Sequence, residues 1–158
     1  MIMEISVTNL QRRHRINRTA VLHLARYMMN KASRMDRSRI WAAISIVLVD
    51  HEKITGLNEQ ILKHKGTTDV ITFAYPPTPG HQDAWQGEIV VNMEEAVEQG
   101  ARRRGGANRE LALYIAHGCQ HLGGADDNTR QKRAAMNRRQ NRWLAGAANT
   151  GISFVFFK

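Results

Sequence analysis

Cysteine is nearly missing from this sequence. Cys119 is the only one, so no internal disulfide can form and packing alone must hold the fold. That suits a reducing compartment, and the expected location is the cytoplasm. No apolar run approaches the length of a membrane span. The start, Met1-Ile2-Met3-Glu4-Ile5-Ser6, lacks a basic segment followed by a long apolar one, so neither a signal peptide nor a membrane partner is expected. There is no internal repeat, no low-complexity tract and no P-loop. Acidic residues are also scarce, at 14 Asp and Glu against 23 Lys and Arg. The resulting net charge of +9 points to an anionic partner, most often nucleic acid, because the basic residues are clustered.

With 158 residues, 42% of them hydrophobic, the chain suits one globular domain over residues 1–158 and is too short for two comfortable ones. Its most informative stretch runs His117-Gly118-Cys119-Gln120-His121-Leu122-Gly123-Gly124-Ala125-Asp126-Asp127. The preceding residues, Glu110 to Ala116, carry no Gly or Pro and read as helix. Residues i and i+4 share one helix face, so His117 and His121 are placed to bind one metal ion. Gly123-Gly124 should close the helix, since glycine accepts the left-handed conformation at a C-terminus. The chain then turns back, and Asp127 is positioned as a third ligand. Three protein ligands leave one zinc position open, as in catalytic sites. Cys119, two residues from each histidine, points to the opposite side and reads as a small buried residue.

Around this stretch the patterning predicts alternating strands and helices. Glu4–Gln11 reads as a strand and is followed by the basic patch Arg12, Arg13, Arg15 and Arg18. Asn17 caps a helix with Val21, Leu24, Ala25 and Met28 inward. Arg34, Arg37 and Arg39 fill the next connection. Ile40–Val49 is nearly all apolar and reads as a strand buried on both faces. Asp50 to Lys53 reads as a turn, with His51 solvated. Thr55–Lys63 reads as a short helix and Lys63-His64-Lys65-Gly66 as a basic loop. Thr68–Tyr75 is a strand stopped by Pro76-Pro77. Thr78–Ala84, including His81, is a loop, and Gly87–Asn92 a strand. Asn92 with Glu95 forms a capping-box-like start for a helix through Gln99. Arg102-Arg103-Arg104-Gly105-Gly106 links to the histidine helix, for which Asn108 is the expected cap. On that helix Leu111, Ile115 and Leu122 should pack inward, while Glu110, Tyr114, His117 and His121 form another stripe. Asn128–Leu144 is a last helix, heavily basic. Gly151–Lys158 is apolar enough to be a docked tail, an edge strand or an exposed sticky end.

The histidine stretch resembles the signature of the YbeY endoribonucleases, a bacterial family that matures ribosomal RNA. Its motif runs His-Gly-x-Leu-His-Leu-x-Gly-Tyr-Asp-His. His117, Gly118, His121, Leu122, Gly124 and Asp126 match in order; Gln120, Ala125 and Asp127 depart. The family's third zinc ligand is a histidine where this chain has Asp127, itself a legitimate zinc ligand. Leu57-Asn58, Thr68-Asp69-Val70-Ile71-Thr72-Phe73 and Gly87-Glu88-Ile89-Val90-Val91 also resemble family segments. An arginine implicated in the family's activity falls at Leu62 here, with Lys63, His64 or Lys65 as substitute cations. Gly118 suggests room for substrate beside the metal or, equally, close helix packing.

The resemblance implies an α+β fold: a small mixed sheet packed by helices, with the metal helix lining a cleft. It also implies a zinc-dependent, single-strand endoribonuclease acting in ribosomal-RNA processing and small-subunit maturation. The partners would be ribosomal RNA and the small ribosomal subunit. A non-catalytic RNA- or ribosome-binding member with a degenerate metal site is the alternative, because Asp127 and Leu62 both depart at functional places. A metalloprotease is disfavoured, since such enzymes need Glu beside the first histidine and Gly118 stands there.

Overall fold

The computed structural model describes residues 2–80 and 83–158; His81 lies outside them. The elements, in order, are β1 (Glu4–Asn9), α1 (Arg18–Ala32), β2 (Trp41–Val49), α2 (His51–Gln60), β3 (Val70–Tyr75), β4 (Trp85–Asn92), α3 (Met93–Gly100), α4 (Gly106–Leu122) and α5 (Arg130–Asn149). Four strands form one mixed sheet in the order β1-β2-β4-β3. β1 and β4 pair with β2 in parallel, and β3 pairs with β4 antiparallel. The expected α+β architecture is therefore the observed one.

Period-two alternation in β2 sends Ile44, Ile46 and Leu48 to the main core, where they meet α1 and α4. The other face is covered only in part. Val49, Ile71 and Val90 pack there with Ile54 of α2, while Val47 and Phe73 are half-buried. The expectation of a strand buried on both faces thus holds fully for one face. The central element is α4, which contacts α1, α3, α5, β3 and β4. Leu111, Ile115 and Leu122 are buried as expected, and so are Glu110, Tyr114 and Cys119 of its other faces. A helix surrounded on all sides is a rigid mount for the residues near its end.

Several boundaries differ from the sequence reading. Asp50 to Lys53 is no turn: the Asp50 side chain accepts from Lys53 N at 2.9 Å and starts α2 at His51. That helix ends at Gln60, so Ile61 and Leu62 leave it and are exposed. Asn92 caps α3 as expected, accepting from Glu95 N at 3.1 Å. Asn108 does not cap α4, which begins after Gly105 at φ 94° with no side-chain cap. Instead Asn108 Oδ1 accepts from the backbone N–H groups of Phe156 and Phe157 at 2.8 and 3.2 Å. Those bonds settle the tail, which docks: Phe156 is fully buried, and its carbonyl accepts from Asn17 N at 2.7 Å. The last helix is capped by Thr129 and runs to Asn149, five residues past the expected end. Gly118 is buried, and a Cβ there would lie 2.5 Å from Ile89 Cγ2. Its role is close packing of α4 on β4; it does not open space for substrate.

Candidate metal centre

The C-terminus of α4 builds the site. Gly124, at φ 96°, takes the left-handed position that closes the helix. Ala125 N donates to Gln120 O and Gly124 N to His121 O, both at 3.0 Å, the bond pair of a Schellman turn. The same turn aims one imidazole. Nδ1 of His121 donates to the Ala125 carbonyl at 3.1 Å, which leaves its Nε2 as a lone-pair donor toward the site. Nε2 of His117 lies 2.9 Å from that atom. The Asp127 carboxylate lies 3.5 Å from His117 Nε2 and 3.8 Å from His121 Nε2. All three ligand atoms fall within 4.8 Å of one another. Ligands about 2.0–2.1 Å from a tetrahedral zinc stand roughly 3.3 Å apart. The residues therefore fit one divalent ion, and the site opens to solvent through the half-exposed Asp127.

Electrostatics favour the neutral form of His117. Burial, first, and the neighbouring His121, second, push the His117 pKa down. Asp69, Asp127 and Gln140 pull it back up. Asp69, at the entry to β3, is thus a carboxylate near the site that spacing in the sequence did not reveal. Its own Oδ1 accepts from Val70 N at 2.8 Å. Asp126 turns elsewhere: it pairs with Lys132 Nζ at 2.9 Å and accepts from Asn128 N at 3.1 Å. These hydrogen bonds, Lys132 first, lower its pKa. The loop is tied to α5 by Arg133, whose Nη1 donates to the Asp127 carbonyl at 3.1 Å. Lys63 and Lys65 share an exposed surface with Glu59 and His64, and no hydrogen bond or ion pair among the described residues joins them to the three ligands. Cys119 is fully buried, and burial raises its thiol pKa beyond reach of reactivity at neutral pH.

A second group, His51, Glu95 and Glu98, also brings potential ligand atoms together. Its hydrogen bonds argue against a metal. Asn92 Oδ1 is committed to capping α3, so its Nδ2 faces His51 Nδ1, at 2.9 Å. Nδ1 must accept, and the ring proton sits on Nε2, donated to Glu98 at 3.1 Å. A cation at Nε2 would require a ring without any proton. His51 is therefore a clamp between α2 and α3, not the free solvated side chain expected of a turn.

The comparisons with known proteins agree with one another. The family profile described as Endoribonuclease YbeY matches residues 6–148. An Endoribonuclease YbeY of Elusimicrobium minutum is 36% identical over 95 residues, which cover 60% of this chain and 66% of that one. The namesake in Moorella thermoacetica is 31% identical over 152 residues, 91% of this chain and 97% of the relative. A solution structure of a Thermotoga maritima protein superposes with a TM-score of 0.55 at 19% identity, over 90% of this chain and 87% of that chain, which supports the fold. From nearly its first strand to nearly the end of its last long helix, this chain belongs to the YbeY endoribonuclease family.

Proposed function

We propose that the protein is a metal-dependent single-strand endoribonuclease of ribosomal-RNA processing and small-subunit maturation, working in the cytoplasm. The observation that carries this reading is the convergence of His117, His121 and Asp127 on one solvent-open point. Zinc is the ion the donor set suits, with two imidazoles and one carboxylate. When bound, the ion would supply Lewis acidity toward a phosphate oxygen or an attacking hydroxyl. The chain's own residues do the positioning. His121 is aimed by the Ala125 carbonyl, and Asp127 is held by the loop that Arg133 anchors. Arg133 is exposed and pairs with no carboxylate among the described residues. Its guanidinium is a ready contact for an RNA phosphate beside the site. No helix among the described residues is long and apolar enough to cross a membrane.

A non-catalytic RNA-binding role is the second reading. Leu62, 39% exposed, favours it, because it puts an apolar side chain where the resemblance implies an arginine. Cleavage of a single-stranded RNA, with and without chelator, separates the two. Zinc-restored cleavage that His117→Ala abolishes supports the enzyme. RNA binding without cleavage under any metal supports the alternative.

A further inference from the structure

Helix α5 packs along α4 through a polar seam. Gln120 is fully buried there; its Nε2 donates to Met136 O at 3.2 Å, and its Oε1 accepts from Arg139 Nη1 at 3.0 Å. One helical turn after Met136 stands Gln140. Its Oε1 is buried and completes no hydrogen bond among the described residues. Native proteins seldom keep such an atom without a reason. α5 runs antiparallel to α4, with Gln120 meeting Met136 and Arg109 meeting Asn141, so Gln140, one turn on from Met136, comes level with His117, one turn back from Gln120.

The two imidazoles differ in how they are held. His121 gives its Nδ1 proton to the Ala125 carbonyl. No backbone carbonyl among the described residues accepts from the His117 ring. Its Nε2 faces His121 Nε2 and Asp127, so the nitrogen left for Gln140 is Nδ1. A proton on His117 Nε2 would satisfy His121 and leave Gln140 Oε1 with nothing. A proton on His117 Nδ1 gives Gln140 its donor, and three lone-pair atoms then converge. That second arrangement is acceptable only around a cation.

We propose that Gln140 is a positioning residue for the metal centre. In the metal-loaded protein its Oε1 accepts from Nδ1–H of His117, selecting the tautomer that presents Nε2 to the ion. This rests on the metal-site reading above. The two histidines then have matching supports, a backbone carbonyl for one and a side-chain carbonyl for the other. Both supports are neutral, so they orient the rings without adding charge to a ligand set that already contains Asp127.

The test compares wild type with Gln140→Leu, which keeps the volume and removes the acceptor, and Gln140→Glu, which keeps an acceptor. Zinc dissociation constants come from competition with a chromophoric chelator. Leu should weaken binding about 10- to 100-fold, whereas Glu should bind at least as tightly as wild type. The thermal midpoint of the chelated Leu variant should match or exceed wild type, because an unpaired buried carbonyl has gone. In zinc-loaded wild type, nuclear magnetic resonance should show a slowly exchanging His117 Nδ1–H that Leu loses. A Leu variant binding zinc within twofold of wild type, or retaining that protected proton, overturns the inference. Wild type that takes up no zinc overturns the metal-site reading instead.

Discussion

Gly118→Ala separates packing from propensity at the point where α4 crosses the sheet. Alanine favours a helix interior by about 1 kcal/mol over glycine, so an isolated α4 would be stabilised. In the folded protein the new Cβ would lie 2.5 Å from Ile89 Cγ2 and 3.2 Å from Val70 Cγ2. Carbon atoms rest at about 3.5–4.0 Å, so helix and strand must part by roughly 1 Å. Ile89 is fully buried within the main core. Overpacking of this kind costs about 1–3 kcal/mol. The net expectation is a loss of about 1 kcal/mol, or roughly 2–4 °C in the thermal midpoint of a domain this size. Metal binding should suffer as well, because His117 and His121 move with α4 while Asp127 is tied to α5 through Arg133. Ligand sets must be held within about 0.5 Å, so a shift of this size should weaken zinc markedly. Circular dichroism melts of chelated protein and chelator competition measure the two effects. An alanine variant more stable than wild type, with unchanged zinc affinity, would refute the packing argument.

Four further outcomes are expected. His117→Ala or His121→Ala should empty the site while leaving far-UV circular dichroism intact, and Asp127→Asn should weaken zinc more than Asp126→Asn, whose carboxylate is engaged by Lys132; elemental analysis decides, and loss of metal in Asp126→Asn alone would move the third ligand by one residue. Because an anionic ligand lowers Lewis acidity, Asp127→His should shift the pH–rate profile to lower pH, once equal occupancy is verified. His117 has a folded pKa depressed below the usual 6.5, so near and below that value the unfolded chain binds more protons and the metal-free protein loses stability as pH falls; urea midpoints at pH 7.5 and 5.5 should differ less in His117→Phe, and an identical difference would discount the histidine. RNA binding should weaken steeply with salt, with Arg133→Gln reducing the slope of log affinity on log salt by about 0.7 for a single strand; fluorescence anisotropy reads it, and a flat dependence would count against an RNA partner.

The local facts of this protein were legible in its sequence. Four-residue spacing put His117 and His121 on one face, because helix periodicity fixes that whatever the surroundings. The glycine pair ended the helix for a backbone reason that needs no tertiary contact. Short apolar, β-branched runs marked the strands, and the Asn17 and Asn92 caps were read from side chains that bond their own backbone two or three residues on. Other outcomes waited on the fold, since they depend on partners distant in the chain. Asn108 looked like a cap and became the anchor of the C-terminal tail, because Phe156 arrives at it from 48 residues away. His51 looked solvated and became a clamp, because Asn92 and Glu98 come to it across two helices. Gly118 could have served substrate or packing until β4 placed Ile89 beneath it. Asp69, Arg133 and Gln140 carried no spacing signal toward the histidines. They reach the centre only because strand β3, the loop and helix α5 close around one end of α4, and spacing along the chain cannot report which distant side chains meet there.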